Sequence, residues 1–326
     1  MTGVQTCALP ICFYKSAQLK ARIGVPLLGR FYIEPEATFN AWSYLDSKDL
    51  LIKRNVTTLD RIDRKIGLNI GLPVGKQSKL VVHGGFINND DKYIDTKILV
   101  SSDTLDQLGL RGGVVGLVLS SNTLNRKQYS NQGLAYCFSF NSFGLKESLV
   151  PGNTSTSKVN ENVDRSWLRL KFSIQQYFKT GRYSSGYLFE SVLSNQPLFS
   201  NYYGTIINAP AFNPFQDSPT LILEKFRAFN YLAGGWRNVF TLRSNLEFRL
   251  EGYLFKPLQA IRSDANQQPF FDEEFTKLYF TGTAGLVLHS TVGPVSLSLN
   301  YYDEPKNQLG VLLHIGFLLF NKTSLE

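Results

Sequence analysis

Few residue combinations in this chain of 326 residues have the types and spacing that catalysis requires. His83 precedes Gly84-Gly85, a pattern able to build an oxyanion hole, but no G-x-S-x-G motif provides a nucleophilic serine. His289 and His314 stand alone, without a carboxylate or cysteine at metal-ligand spacing. We therefore expect that this chain is not itself an enzyme and has no catalytic residue, metal site or cofactor.

Charged residues instead recur on one side of alternating segments. Between residues 239 and 255, the even positions are mainly apolar and the odd positions mainly polar, so each set shares one face of a strand. The charged residues of the polar face are Arg243, Glu247, Arg249 and Glu251. Arg169 and Lys171 occupy equivalent positions in an earlier segment. Ion pairs explain these residues better than acid–base catalysis, and we predict that Arg169, Lys171, Arg243 and Arg249 face a polar interior.

The same period of two runs through most of the chain. Clear examples lie at residues 31–41, 65–72, 134–141, 168–175 and 295–319. Almost no segment shows a helical period, and about thirteen strands can be counted from Ala17 onward, each about as long as a tilted membrane crossing of ~9–11 residues or longer. The pattern predicts an all-β, antiparallel fold, a barrel or a sandwich.

Composition leaves the solvent on the apolar side undecided. The hydrophobic content is 43%, the mean hydropathy is -0.12 and aromatic residues make up 13%. A transmembrane barrel averages an apolar outer face with a polar interior, and its aromatic residues gather at the membrane interfaces. The net charge of +8 is spread along the chain rather than gathered in one run, so we expect no nucleic-acid partner.

The lengths of the connections favour lipid. Short connections are predicted near 26–29, 74–78, 179–182, 232–236 and 290–294. Long polar ones are predicted near 45–58, 89–107, 145–164, 195–218 and 256–275. Such alternation is typical of bacterial outer-membrane barrels, which have short periplasmic turns and long extracellular loops. We expect a transmembrane β-barrel in the outer membrane of a Gram-negative bacterium, with a periplasmic C-terminus and lipid and the outer-membrane assembly machinery as partners.

The first residues stand apart from this pattern. MTGVQTCALPI resembles one reading frame of a common sequencing adapter, so we expect residues 1–12 to be an artefact and 13–326 to be a barrel incomplete on its N-terminal side. Cys7, Cys12 and Cys137 form neither a disulfide framework nor a metal site. An odd number of missing strands added to thirteen would give the even number that single-chain barrels have.

Three long segments carry a family resemblance. NYYGTIINAPAFNPF at 201–215, LEKFRAFNYLAGG at 223–235 and SNLEFRLEGYLFKPLQAI at 244–261 resemble the C-terminal region of Bacteroidetes-type patatin-like phospholipases. The resemblance implies a patatin domain with a Ser–Asp dyad, then a polypeptide-transport-associated domain, then a sixteen-stranded barrel of the bacterial surface antigen type. The patatin residues have no counterpart here, and three strands would be missing.

The resemblance also implies a loop motif. Related assembly-factor barrels carry an arginine on a long loop that folds into the lumen, and the matching residue here is Arg227, followed by Gly234 and Gly235. Where those barrels have a glycine after the arginine, this chain has Ala228. A buried arginine requires carboxylates, and Glu247 or Glu251 are the expected partners.

These features lead to one main expectation and one alternative. The chain is expected to be the membrane-anchoring and translocating barrel of a patatin-like phospholipase whose catalytic domain lies outside it. The alternative is the barrel of an outer-membrane assembly or translocation factor, or a porin-like channel, with no lipase attached. A soluble all-β binding protein is the third interpretation.

Overall fold

A computed structural model of the chain describes residues 3–5, 14–24, 30–44, 59–94, 103–155, 158–272, 277–304, 308–317 and 320–326. The strands of the first half are β1 (Gly3–Gln5), β2 (Tyr14–Lys20), β3 (Ile23–Gly24), β4 (Tyr32–Tyr44), β5 (Leu59–Val74), β6 (Ser78–Tyr93), β7 (Asp106–Asn122) and β8 (Gly133–Val150). The second half contains β9 (Glu161–Thr180), β10 (Tyr183–Ser194), helix α1 (Tyr202–Asn208), β11 (Tyr231–Arg243), β12 (Leu246–Pro257), β13 (Ala260–Ser263), β14 (Pro269–Asp272), β15 (Tyr279–Ser290), β16 (Gly293–Tyr302) and β17 (Leu309–Ile315). Two short 3-10 helices, Ser218–Thr220 and Glu224–Phe226, precede β11.

One antiparallel sheet of fifteen strands makes up nearly the whole fold. Its strands pair in sequence order, except that β3 pairs with β4 and that β13 and β14 form a separate hairpin. Fifteen strands minus the short β1 and β3 leaves thirteen, so the predicted all-β, antiparallel class and strand count are confirmed. Among the described strands, β1 and β17 end the pairing order at opposite sides and are not joined to each other.

The connections alternate between two ends of the sheet, one carrying mainly short turns and the other mainly long loops. The short turns at 75–77, 181–182 and 291–292 lie where they were predicted. The prediction of a turn at 232–236 is wrong, because these residues belong to β11 and the turn is at 244–245. A Cβ atom at Gly235 would meet the Gly252 carbonyl and the ring of Tyr253, so this glycine allows close packing rather than a turn. The predicted connections at 26–29 and 45–58 lie outside the described residues.

The two faces of the sheet have opposite character. On β12, Leu250 and Leu254 are 48% and 49% exposed on the outer face, whereas Glu247 and Arg249 are 2% and 4% exposed on the inner face. Exposed Leu, Ile, Val and Phe residues continue along the outer face from β4 to β17. Soluble proteins bury apolar residues and expose charged ones. The distribution here is reversed, as expected for an outer face in contact with lipid.

The core lies inside the curve of the sheet. One apolar cluster joins Ile87, Leu110, Phe143 and Trp167 of the wall to α1, and a second joins Tyr253 and Phe255 to the residues that follow α1. Both clusters depend on residues 195–230, which connect β10 to β11 and are called the inserted segment below. None of the described helices is long and apolar enough to cross a membrane.

Candidate functional site in the interior of the sheet

The inserted segment begins with a buried helix. Asn201 caps α1 by accepting a hydrogen bond of 2.8 Å from the backbone N–H of Gly204. The same side-chain oxygen accepts a 2.8 Å bond from the hydroxyl of Tyr93 on β6, and the ring of Tyr93 lies 5.2 Å from that of Tyr203. These contacts attach the start of α1 to the wall formed by β6 and its neighbours.

A buried ion pair holds the other end of α1. Arg61 Nε lies 2.9 Å from Asp91 Oδ1, and Arg61 Nη1 donates a 3.0 Å bond to the carbonyl of Ile207. Asn208 Nδ2 donates to Asp91 Oδ2 at 3.2 Å, and the Asn208 side-chain oxygen accepts from Arg61 Nη2. The wall charges are thus compensated by each other and by the helix end, as burial in an apolar surrounding requires.

Aromatic residues hold the second half of the inserted segment. Phe212 and Phe226 lie 6.0 and 5.6 Å from Phe255, and Phe215 lies 5.6 Å from Tyr302, measured between ring centroids. Tyr302 also donates a 2.8 Å hydrogen bond to Asp217. The inserted segment therefore packs against the wall on both sides and fills this part of the interior.

Tyr202 forms a hydrogen bond within the inserted segment. Its hydroxyl donates a 2.8 Å bond to Glu224 within the same segment. Burial, together with the adjacent carboxylate, raises the pKa of Tyr202, so the hydroxyl keeps its proton and remains a donor.

Arg227 lies inside the inserted segment but not beside its expected partners. Its Nη1 donates to the carbonyls of Ile207 at 3.1 Å and Ala209 at 3.4 Å. Glu247 and Glu251 contact other arginines, so the expected pairing with Arg227 is not what the structure has. The reason is distance along the wall: Arg227 points to the end of α1, whereas both carboxylates lie nearer the β11–β12 turn. Gly234 and Gly235 lie within β11.

Glu247 and Glu251 belong to a charged network. Arg249 Nε donates to Glu251 at 3.0 Å, and Arg249 Nη1 lies 3.5 Å from Glu247. Arg237 Nε lies 3.6 Å from Glu251 and also reaches the hydroxyl of Tyr253. Arg237 was not among the predicted residues, because it follows a glycine-rich stretch that was assigned to a turn. Arg237 and Val239 both occupy odd positions of β11, and Val239 pairs with Arg249 of β12. This alternation was the available signal that Arg237 lies on the same face as Arg249.

The loop at 123–132 crosses the interior to close this network. Arg126 Nη1 donates to Glu247 at 2.6 Å, Asn131 Nδ2 donates to the same oxygen at 2.7 Å, and Arg249 Nη1 donates to the carbonyl of Ser130 at 3.1 Å. The Tyr129 hydroxyl lies 2.8 Å from Ser296 Oγ, and burial raises the pKa of Tyr129. No alternation in the sequence indicated these contacts.

The remaining predicted charged residues, Arg169, Lys171 and Arg243, lie in different environments. Arg169 is buried, and its Nη1 donates to the carbonyl of Leu325 at 2.7 Å. Lys171 Nζ lies on the inner face, 3.2 Å from Glu190. Arg243 does not join them: it is exposed at the end of β11, where the register shifts and pairs it with Leu246.

Cavities remain between these parts. One of about 220 Å³ lies between the 123–132 loop and the Arg237–Arg249 network, and a larger one of about 890 Å³ is lined by Ser121, Tyr136, Cys137 and Gln175. Within the described residues, no three His, Cys, Asp or Glu side chains form a group that could hold a metal ion. The arrangement holds the 123–132 loop and the inserted segment inside the sheet.

Known proteins share the fold of this chain. No protein-family model and no curated protein matches its sequence. Its structure is similar to the crystal structure of BamA from Haemophilus ducreyi lacking POTRA domains 1-3, with a TM-score of 0.55 and 9% sequence identity. The similarity covers 91% of this chain and 60% of that one. The fold is therefore that of a BamA-like β-barrel, with the two ends of the described sheet unpaired.

Proposed function

We propose that this chain is the barrel of an outer-membrane protein assembly or translocation factor. The observation that carries the proposal is the distribution of residues on the two faces: the exposed outer face is apolar, and the inner face buries charged residues such as Glu247 and Arg249. A sheet in a membrane keeps such an outer face out of water. The likeness to the BamA barrel supports the same class. The proposed location is the outer membrane, with the short turns on the periplasmic side.

The filled interior favours this role over a porin. A porin keeps a water-filled channel, whereas here the inserted segment is fixed to the wall by Arg61 and Asp91 and by the aromatic contacts of Phe255. An interior partly filled by a loop suits a barrel that handles protein segments in a controlled way.

The test is a folding assay. Liposomes containing the chain should fold a urea-unfolded outer-membrane β-barrel protein several times faster than empty liposomes or liposomes with an unrelated barrel. Equal rates would contradict the assembly role. Before this, migration on gels with and without boiling should differ, as it does for folded membrane barrels, and planar bilayers should show no conductance of porin size.

A second candidate rests on the segments that resemble patatin-like phospholipases. They form most of the inserted segment, all of β12 and parts of β11 and β13. In this interpretation the chain anchors a lipase domain encoded upstream and takes part in its export. The upstream genomic sequence decides between the candidates, because a reading frame with G-x-S-x-G supports the anchor and its absence contradicts it.

A further inference from the structure

We propose that the outer face of β5, β6, β7 and β8 carries a binding site for the phosphorylated headgroup of an anionic lipid in the outer leaflet of the membrane. The site consists of Arg64, Arg111 and Lys146, called the cation row below, which lie next to exposed apolar side chains on the long-loop side. The inference rests on the outer-membrane location proposed above, but not on the assembly role.

The cation row is built by the register of four neighbouring strands. Arg64 of β5 pairs with Asn88 of β6, and Asn88 pairs with Arg111 of β7. Arg111 in turn pairs with Lys146 of β8. Directly opposed residues of antiparallel strands have their side chains on the same face. Because neighbouring strands lie about 4.8 Å apart, the three cations are spread over about 14 Å across the sheet.

The position of the cation row coincides with the edge of the apolar band. Ile66 and Phe86, two residues from Arg64 and Asn88 toward the short turns, are 70% and 56% exposed. Arg64 and Asn88 themselves lie about ten residues from the short-turn ends of β5 and β6. A tilted strand crosses the hydrocarbon in ~9–11 residues, whereas β5 to β8 have 16 to 18 residues. The cation row therefore lies where the hydrocarbon ends and the headgroups begin.

Nearby carboxylates do not balance the cation row. Asp90 lies 2.8 Å from Arg64 Nη1 and 3.5 Å from Arg111 Nη2, so one carboxylate serves two guanidinium groups. Asp164 is the residue opposite Lys146, but Lys146 makes no ion pair in the described part of the chain. The side chains of Arg64 and Arg111 are 40% and 64% exposed. Three accessible cations beside two carboxylates favour an anion from outside the chain.

The chemistry of the cation row fits phosphate. A guanidinium group donates two parallel hydrogen bonds to phosphate oxygens, and lysine binds phosphate as a point charge. Asn88 accepts a 3.1 Å hydrogen bond from Arg111 Nε, which orients this guanidinium group on the sheet. Since the cation row extends over about 14 Å, it is wider than one phosphate and suits a headgroup that carries two.

The surface beside the cation row fits the acyl chains of the same lipid. Gly113 and Gly144 are paired two residues from Arg111 and Lys146 on the side of the apolar band. A Cβ atom at Gly144 would meet nothing within 4 Å, so the outer face has open space there. Hydrocarbon that continues from the headgroup can occupy this space, whereas free inorganic phosphate gains nothing from it. The occupant is therefore a lipid rather than a soluble anion.

The test is native mass spectrometry of the full chain in detergent micelles, titrated with diphosphoryl lipid A, monophosphoryl lipid A or phosphatidylcholine. The two lipid A forms have the same acyl chains, so their difference reports the second phosphate. The diphosphoryl form should bind several-fold more tightly than the monophosphoryl form, and phosphatidylcholine, whose phosphate is neutralised by choline, should bind most weakly. Equal affinities for all three lipids would overturn the proposal.

A double variant, Arg111→Gln with Lys146→Gln, should bind diphosphoryl lipid A about tenfold more weakly. The matched control, Arg182→Gln with Arg243→Gln, removes the same charge from exposed positions at the short-turn end and should bind it as the parent does. Equal weakening in both double variants would show that net charge, rather than the cation row, attracts the lipid, and would contradict the site.

Gly144→Leu tests the site without a change of charge. Its side chain enters open space, so the variant should fold, and it should bind diphosphoryl lipid A several-fold more weakly because the acyl chain is displaced. Unchanged binding, or displacement of the lipid by millimolar inorganic phosphate, would contradict a lipid as the occupant. Migration on gels with and without boiling is measured first for every chain. A parent that does not migrate as a folded barrel contradicts the outer-membrane location, whereas a folded parent without lipid preference overturns this site alone.

Discussion

One face of strand β12 contacts two layers of the interior that differ in chemical character. Near the β11–β12 turn, Glu247, Arg249 and Glu251 form an ion network with the 123–132 loop and β11. Toward the other end, Tyr253 and Phe255 pack against aromatic rings of the inserted segment. Both layers are built from alternate residues of one strand, yet one is charged and the other apolar.

The difference lies in what holds each layer together. The aromatic layer depends on contact area and tolerates changes of shape poorly. The charged layer depends on each ion having a partner, and those partners come from β9, β11 and the 123–132 loop as well as from β12. The substitutions below separate the two layers and compare them with the outer face.

The largest effect is expected for Phe255→Ala. Phe255 is fully buried and lies within 6.0 Å of Phe212, Phe226 and Tyr231. Removing the ring should lower the free energy of unfolding by about 4 kcal/mol, measured by urea unfolding in detergent. Phe248→Ala, on the outer face of the same strand, is the control and should cost less because detergent or lipid replaces the ring. Equal losses would mean that the aromatic layer is not packed as described.

The second-largest effect is expected for Arg249→Ala. It leaves Glu251 with the more distant Arg237 and removes the bond to Ser130, so the free energy of unfolding should fall by about 3 kcal/mol. Arg243→Ala changes an exposed arginine of the neighbouring strand and should stay within about 0.5 kcal/mol of the parent. If the two variants were equally stable, the charged layer would contribute nothing to stability.

Leu250→Arg tests the outer face of β12 opposite the charged layer. A charged side chain facing hydrocarbon should lower the free energy of unfolding in lipid vesicles by about 2 kcal/mol. Val292→Arg, in the β15–β16 turn, should have little effect. A loss for Leu250→Arg no larger than that for Val292→Arg would contradict a lipid-facing position.

Tyr129→Phe should have the smallest effect. It removes the hydroxyl that lies 2.8 Å from Ser296, and the free energy of unfolding should fall by about 1 kcal/mol. The aromatic ring remains over Arg249, whose guanidinium carbon lies 5.7 Å from its centroid. A loss as large as that of Arg249→Ala would show that the hydroxyl, rather than the ion pairs, closes the charged layer.

Much of the sheet could be predicted from local patterns. On β12, the alternation of Leu250 and Leu254 with Arg249 and Glu251 assigned both faces correctly, since neighbouring residues of a strand point to opposite sides. At Gly234-Gly235 the same method was wrong, because glycine permits a turn and close strand packing equally well. The pairing of Arg227 with Glu247 or Glu251 also failed, since no local pattern gives the position of a loop residue along the wall.

By itself, the sequence determined the strand class, the number of long strands and which residues of β12 form the outer face, because each depends on a period of two within one segment. Only the tertiary structure decided what fills the interior. The placement of the inserted segment, the 123–132 loop and residues 320–326 depends on contacts between residues more than a hundred positions apart, such as Asn131 with Glu247 and Asn89 with Ser324. Such contacts produce no periodic pattern in the sequence, since each needs only one complementary group at the right place on the wall.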